Sequence, residues 1–273
     1  MSAAESKTSI ERSPTFKTQH MEEDDSNDSQ APTPDTLKTL STISPPGNTG
    51  PVIAIDLDDV LSQTNRQNPY WGDIQTTFTK VQDFYSTRKI FEALPVAGAR
   101  EGVQALHDMG FRLIIVTARS PDVHSDSWHW VDKWFPGLFD SVICTGQFKD
   151  AQKNSHEVTT KLSKAQVCAD LNAQLLIDDS SENALQVSTS TSRPTPVLLF
   201  GDYEWNSRLS SSSDAVDTMV FDTRLLIEGG KEFWKDDSEK FDNHVPEGAP
   251  LYRVKDWAAA VRWVKKAREE GRL

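Results

Sequence analysis

Residues 52–61 read VIAIDLDDVL, and residues 174–180 read QLLIDDS. Each is an apolar run of strand length that ends in carboxylates: Asp56, Asp58 and Asp59 in the first, Asp178 and Asp179 in the second. An apolar run without alternation suits a strand buried on both faces of a parallel sheet. The carboxylates then stand just past the strands, at the carboxyl edge of that sheet. Crowding them is costly, at about 4 kcal/mol for one like-charged pair roughly 4 Å apart with an effective dielectric near 20. Either a cation sits among them or one keeps its proton. Two such tips side by side make an oxygen-only cage, and oxygen donors without His or Cys favour Mg²⁺ over zinc.

Outward from these stretches, Val/Ile/Leu runs at 112–117, 141–144 and 197–200 alternate with helical stretches at 98–109, 125–135, 163–171 and 181–187. The alternation predicts an α/β fold, a Rossmann-like three-layer sandwich with five parallel strands and a site beyond their carboxyl ends. Residues 62–95 exceed an ordinary βα loop. They carry Ile74, Phe78, Val81 and Phe84 or Tyr85 at helical spacing behind Asp73 as N-cap, which predicts a small helical cap inserted after the first strand. Residues 1–49 are rich in Ser, Thr, Pro, Asp and Glu and are expected to form a disordered tail. The core is expected over 50–206, and 207–273 is read as a C-terminal extension. Its last helix, capped by Asp256, sets Ala260, Val261, Val264 and Ala267 on one face, to pack at the sheet's outer edge. Residues 229–250 receive no assignment, and the Ser/Thr-rich stretches 188–196 and 207–214 read as solvated linkers.

The 273 residues include 29 basic and 41 acidic ones, a formal charge of −12 without a basic stripe. That balance excludes nucleic-acid polymers and anionic membrane surfaces as partners and leaves room for a small phosphorylated substrate. No run approaches the roughly 18–20 apolar residues of a membrane span. With no apolar signal core at the start, and with Glu5, Glu11 and the acidic run 22–25 against a transit peptide, the expected compartment is cytoplasmic or nuclear. Cys144 and Cys168 lie in apolar contexts and read as buried thiols of a reducing compartment. Oligomeric state has no signal in the sequence.

Phosphoryl transfer needs an in-line nucleophile, cations for the equatorial oxygens and a proton donor for the leaving group. Asp56, last on its strand, is placed to attack phosphorus. Asp58 is placed to protonate the leaving oxygen and then activate water, with like-charged neighbours keeping it partly protonated. Thr117 ends IIVTARS, so its hydroxyl and the N–H groups after it, Ala118 among them, are positioned to cradle a phosphoryl oxygen. Lys164 follows Ser163 at a helix start and adds a cation, although Lys161 or Lys153 fits the same part. Asp178 and Asp179 complete a Mg²⁺ site, and Arg119 reaches either phosphate or an acidic neighbour. In the cap, Tyr70 and Trp71 stack on a base or belong to the cap's apolar face, to which Phe78 is assigned. His124, His129, Trp128, Trp130 and Trp134 read as structural. Taken singly, a strand-end Asp is often a helix cap and a lone Lys a surface charge. Together on one face these residues point to phosphate chemistry.

The set of DLDDV, the IIVT strand end, a helix-start Lys and LLIDDS resembles the four motifs of haloacid dehalogenase (HAD) superfamily phosphatases over about residues 51–206. Within it, LPVAGAREGVQALHDMGFRLIIVTAR (94–119), LLIDDSSENA (175–184) and PVLLFGDYEWN (196–206) are similar to the cytosolic 5'(3')-deoxyribonucleotidase-like branch. The resemblance implies a Mg²⁺-dependent phosphomonoester hydrolase that works through an aspartyl phosphate, on nucleoside monophosphates in that branch. It makes Asp56 the nucleophile and Asp58 the acid/base whose backbone carbonyl also binds metal. Thr117 and Lys164 become the phosphate holders, and Asp178 and Asp179 the metal-side acids. Sugar phosphates or phosphoproteins as substrates, and a catalytically silent HAD-fold binding protein, stay open as alternatives.

Overall fold

The computed structural model describes residues 50–64, 74–146, 163–207, 209, 221–231 and 241–273. The expected tail at 1–49, Tyr70, Trp71, Asp73, Lys153 and Lys161 lie outside them, as do the side chains of Ile74 and Phe78. Strands β1 (Val52–Ile55), β2 (Arg112–Thr117), β3 (Ser141–Cys144), β4 (Leu175–Asp178), β5 (Val197–Phe200) and β6 (Leu251–Val254) form one sheet in the order β3-β2-β1-β4-β5-β6. Every neighbouring pair is parallel, with Ile53 opposite Leu113 on one side and Leu175 on the other. All four residues of β1, β4 and β5 are buried, as central parallel strands covered on both faces should be.

The described α-helices are α1 (Ile74–Ser86), α2 (Ala99–Asp108), α3 (His124–Trp134), α4 (Lys164–Asp170), α5 (Ser181–Ser188), α6 (Phe221–Ile227) and α7 (Trp257–Glu269). Residues of α2, α3 and α7, such as Val103, Leu106, Trp130, Ala260 and Val264, pack with Ile53, Ile55, Leu113 and Ile177 on one face of the sheet. On the other face Ala165, Val167 and Cys168 of α4 and Ala184 and Val187 of α5 cover Ala54, Ile114, Val116 and Leu176. The three-layer α/β expectation therefore matches the structure. Ser163, Ser180 and Asp256 each accept the N–H of the third residue onward and start α4, α5 and α7.

Two features differ from the sequence reading. The sheet has a sixth strand, β6, whose Tyr252 and Arg253 are exposed; an edge strand of this kind offers no apolar run to read. Moreover, α7 lies on a sheet face beside α2 rather than at the outer edge. A Cβ on Gly102 would stand 2.4 Å from the Trp257 ring, so glycine there is what lets the two helices meet.

The insert after β1 closes on itself. Ser62 bridges Pro95, and Gln63 donates to the carbonyls of Leu94 (backbone N–H, 2.8 Å) and Pro95 (Nε2, 2.9 Å). Trp130 of α3 donates its indole N–H to Ala93, which fastens the returning end to the core. No helix among the described residues is long and apolar enough to cross a membrane.

Candidate active site

Chain order crosses from β3 back to β4, so β1 and β4 flank the point where strand direction of growth reverses, the place where doubly wound sheets open a crevice. Asp56 follows β1 and Asp178 ends β4, so both acids stand at that crevice. With Asp179 they form a buried cluster in which one ligand oxygen from each lies within 4.8 Å of the others. Lys164 at the start of α4 is wholly buried and points into the cluster, its Nζ 2.9 Å from Asp56 Oδ1 and 2.6 Å from Asp178 Oδ2.

Each of the three acids after β1 has gone to a different partner. Asp56 turns to Lys164 and also accepts the N–H of Leu57 at 2.8 Å. Asp58 receives a two-pronged bond from Arg119, Nε to Oδ2 at 3.0 Å and Nη2 to Oδ1 at 2.5 Å. Asp59 adopts a left-handed backbone, φ 56°, and its carboxylate accepts the N–H of Thr64, closing the turn. Thus a cation does sit among the carboxylates, in two places.

Arg119 is itself anchored by Nη1 on Ser127 of α3 at 3.0 Å. Of the two readings of Arg119, the structure displays the acidic neighbour. Burial pushes the Asp58 carboxyl up, but the charge and hydrogen bonds of Arg119 outweigh it and hold Asp58 below the usual carboxylate range. The expectation that like-charged neighbours keep Asp58 partly protonated is corrected by this guanidinium. Asp56 behaves in the opposite sense. Burial raises it, Lys164 offsets only part of that, and Asp178 and Asp58 add to the rise, which leaves it at about 7. Asp179 is likewise pushed well up, by burial first and then by Asp56 and Asp178. Lys164 is held more firmly protonated than an ordinary lysine because Asp178 and Asp56 outweigh its burial.

Thr117 ends β2 fully buried, and its Oγ1 accepts the N–H of Arg119 at 3.3 Å. That bond occupies one of the backbone donors expected to face a phosphoryl oxygen. Asp58's side chain lies outside the cluster of Asp56, Asp178 and Asp179, being taken up by Arg119. His124 bonds the Val142 carbonyl and His129 that of Ser125, and Cys144 and Cys168 are free thiols pushed up by burial, to about 11 and about 12.

Three residues in or beside the site, Ser127, Tyr203 and Trp205, were not singled out from the sequence, and a fourth, Tyr85, was read only as part of the cap's apolar pattern. Ser127 anchors Arg119. Tyr85 on α1 has its phenol raised by burial and then by the nearby Asp58 charge, which brings the cap helix into the field of the Asp58–Arg119 pair. Beyond β5, Trp205 donates its indole N–H to Asp179 Oδ2 at 2.7 Å, and Tyr203 donates its hydroxyl to the Asp59 carbonyl at 2.7 Å. In the sequence they stand as an aromatic pair just after a buried strand, within the PVLLFGDYEWN stretch that carries the family resemblance.

The donor set fits a hard divalent cation. All the ligand atoms are oxygens, the three acids are buried, and one ammonium does not balance three carboxylates, as the raised proton affinity of Asp56 and Asp179 records.

No family model matches the chain, and no curated protein does. Among solved structures the chain is similar to a D,D-heptose 1.7-bisphosphate phosphatase from B. bronchiseptica, complexed with magnesium and phosphate. The identity is 11%, the match covers 79% of this chain and 98% of that chain, and the TM-score is 0.40. It is also similar to an L-2-haloacid dehalogenase from Xanthobacter autotrophicus with chloropropionic acid covalently bound, at 12% identity, 80% and 99% coverage and a TM-score of 0.42. A predicted phosphatase from Clostridium acetobutylicum matches at 13% identity, 80% and 99% coverage and a TM-score of 0.46. These likenesses are low, and the functional reading rests on the site's own residues.

Proposed function

We propose that this protein is a HAD-type phosphomonoester hydrolase that uses Asp56 as nucleophile and depends on Mg²⁺, with nucleoside monophosphates as its substrate class. The observation that carries the reading is Asp56 at the tip of β1, held by Lys164 beside Asp178 and Asp179 at the crevice between β1 and β4. Asp56, Asp178 and Asp179, with the backbone carbonyl of Asp58, would hold the divalent cation, which when bound supplies positive charge against the phosphoryl oxygens.

Lys164 takes Asp56 Oδ1, so the nucleophilic oxygen is Oδ2. It attacks phosphorus, the ester bond breaks in line, and Asp56 becomes an acyl phosphate. Lys164 and the hydroxyl of Thr117 meet the phosphoryl oxygens, and Ala118 contributes its N–H because that of Arg119 is already bonded to Thr117. The leaving oxygen takes its proton from Asp58. A phosphate dianion arriving beside Asp58 raises that carboxyl's proton affinity by like-charge repulsion, so that Asp58, otherwise held ionised by Arg119, binds a proton from solvent and becomes the donor; it returns a proton to solvent once turnover is complete. The resulting Asp58 carboxylate, drawn back to Arg119, then takes a proton from water, which attacks the acyl phosphate and frees Asp56 and inorganic phosphate.

Support for nucleotides as substrate comes from the stretches 94–119, 175–184 and 196–206. The test is phosphate release by the full chain from nucleoside monophosphates, sugar phosphates and phosphopeptides, with and without Mg²⁺, with Asp56→Asn as control. Release that needs both Mg²⁺ and Asp56 and is concentrated on nucleotides is the expected result. Release from the other esters would discard the nucleotide reading and keep the mechanism; silence throughout would overturn both.

A further inference from the structure

Strand β5 ends at Phe200, and the chain then makes a tight turn through Gly201 into a short helical turn, Glu204–Asn206. Gly201 has φ +86°, and a Cβ there would lie 2.2 Å from the Tyr203 ring, so the turn brings that ring directly over the backbone. Tyr203 and Trp205 stack almost in parallel, with centroids 4.3 Å apart and planes 10° from each other. Both polar ends of the stack are used: the phenol on the Asp59 carbonyl, the indole on Asp179 Oδ2. The turn is fixed from behind as well. Buried Asn206 donates its side-chain amide to the carbonyls of Phe200 and Gly201, and Arg253 of β6 donates to the carbonyl of Asn206 at 3.1 Å.

A carboxylate that must serve a cation gains from being oriented before the cation arrives, because the ordering cost is then met in folding. Hydrogen bonds from outside the ligand set do this, and losing one typically lowers metal affinity about 10–100-fold. Asp179 lies one residue past β4, and the bond from Trp205 at 2.7 Å orients its carboxylate. We propose that Trp205 is a positioning residue for the divalent cation: stacked on Tyr203, its indole N–H fixes the Asp179 carboxylate in the orientation that meets Asp56 and Asp178. This rests on the proposed metal dependence. The second contact of the stack ties the turn after β1 to the same aromatic pair, so the loop that follows the nucleophile and the acid that follows β4 share one support.

The test is divalent-cation affinity measured by calorimetry on the full chain, with Mg²⁺ alone as the probe and no substrate present. Trp205→Phe keeps a stacking ring and removes only the N–H. The expected result is binding by the wild type and a ~10–100-fold weaker affinity in Trp205→Phe, with phosphate release restored toward the wild-type kcat at saturating Mg²⁺. Tyr203→Phe leaves the indole bond in place and is expected to lose less affinity. Equal affinity in wild type and Trp205→Phe overturns the inference and leaves the hydrolase reading standing. No Mg²⁺ binding by the wild type overturns both. Should Trp205→Phe fail to fold, the indole ¹H–¹⁵N resonance of Trp205 in the wild type decides: it is expected to move during Mg²⁺ titration with the calorimetric midpoint, and a resonance that stays still overturns the inference.

Discussion

Two cation–carboxylate groups stand on either side of the β1 tip, and they are built to different ends. Lys164 is 0% exposed and holds Asp56 and Asp178 at 8% and 0%. Arg119 is almost as deeply buried, at 2%, but its partner Asp58 is 30% exposed. A point charge on a flexible stem serves two acids in the interior, whereas a rigid fork grips both oxygens of one acid at the rim. The first group holds Asp56 in place among like charges; the second holds Asp58 ionised yet within reach of solvent. One carboxyl is therefore pushed up and the other down, two residues apart in the chain.

Breaking the first group has the largest expected effect. Lys164→Met leaves two buried acids without their ammonium and is expected to lower the stability of the metal-free protein by about 3–5 kcal/mol, read by denaturant unfolding, and to abolish phosphate release. A stability within error of the wild type would mean that the pair is not the interior counterion described. Next in size, Asp56→Asn is expected to eliminate turnover while the unfolding curve shows an intact fold, and Asp58→Asn to do nearly the same. Retention of more than about one part in a hundred of the activity in Asp56→Asn would rule out the covalent route, since loss of a nucleophile ordinarily costs far more.

Replacing the fork tests the second group with a smaller expected loss. Arg119→Lys keeps the charge but not the two-pronged grip, so a loss of about 1–2 kcal/mol of stability is expected, and under the proposed mechanism, in which Asp58 would act on the leaving group, kcat is expected to change more than KM. An effect confined to KM would assign Arg119 to substrate binding. The mildest test is pH. In the metal-free protein Asp56, raised from 3.8 to about 7, contributes stability that is complete below its unfolded value and lost as pH rises through 7. Asp58, lowered, contributes stability present above its unfolded value and lost as pH falls through its folded one. Thermal unfolding across pH 4–8 should consequently show the Asp56 decline in wild type and not in Asp56→Asn; identical profiles would contradict the raised carboxyl.

Much of this frame is legible in the chain because buried parallel strands write themselves as unbroken apolar runs. Residues 112–117, 141–144 and 197–200 form strands over the spans expected, and Ser163 and Asp256 stand at their helix starts as read, whereas Ser180, the cap of α5, was not read as one. β6 escapes because LYRV pairs with one neighbour and leaves its middle residues exposed. At the site, the acids are legible as strand ends, but their partners are not. Whether a lysine near residue 160 is interior or solvated depends on how α4 docks, and the Arg119–Asp58 grip spans 61 positions. Trp205 reaches Asp179 only because the turn after β5 folds back over the crevice, a matter of backbone path that composition does not encode.

The indole of Trp257, first residue of α7, donates to the carbonyl of Val60, 197 positions earlier, in the turn that carries Asp58 and Asp59. Closing a loop of that length costs entropy, and contacts of such separation slow folding. During synthesis the strands β1 to β5 leave the ribosome well before Trp257, so the acid-bearing turn lacks its fastener until β6 and α7 have emerged. The turn that carries Asp58 and Asp59 is thus completed by a contact whose two halves leave the ribosome far apart in time.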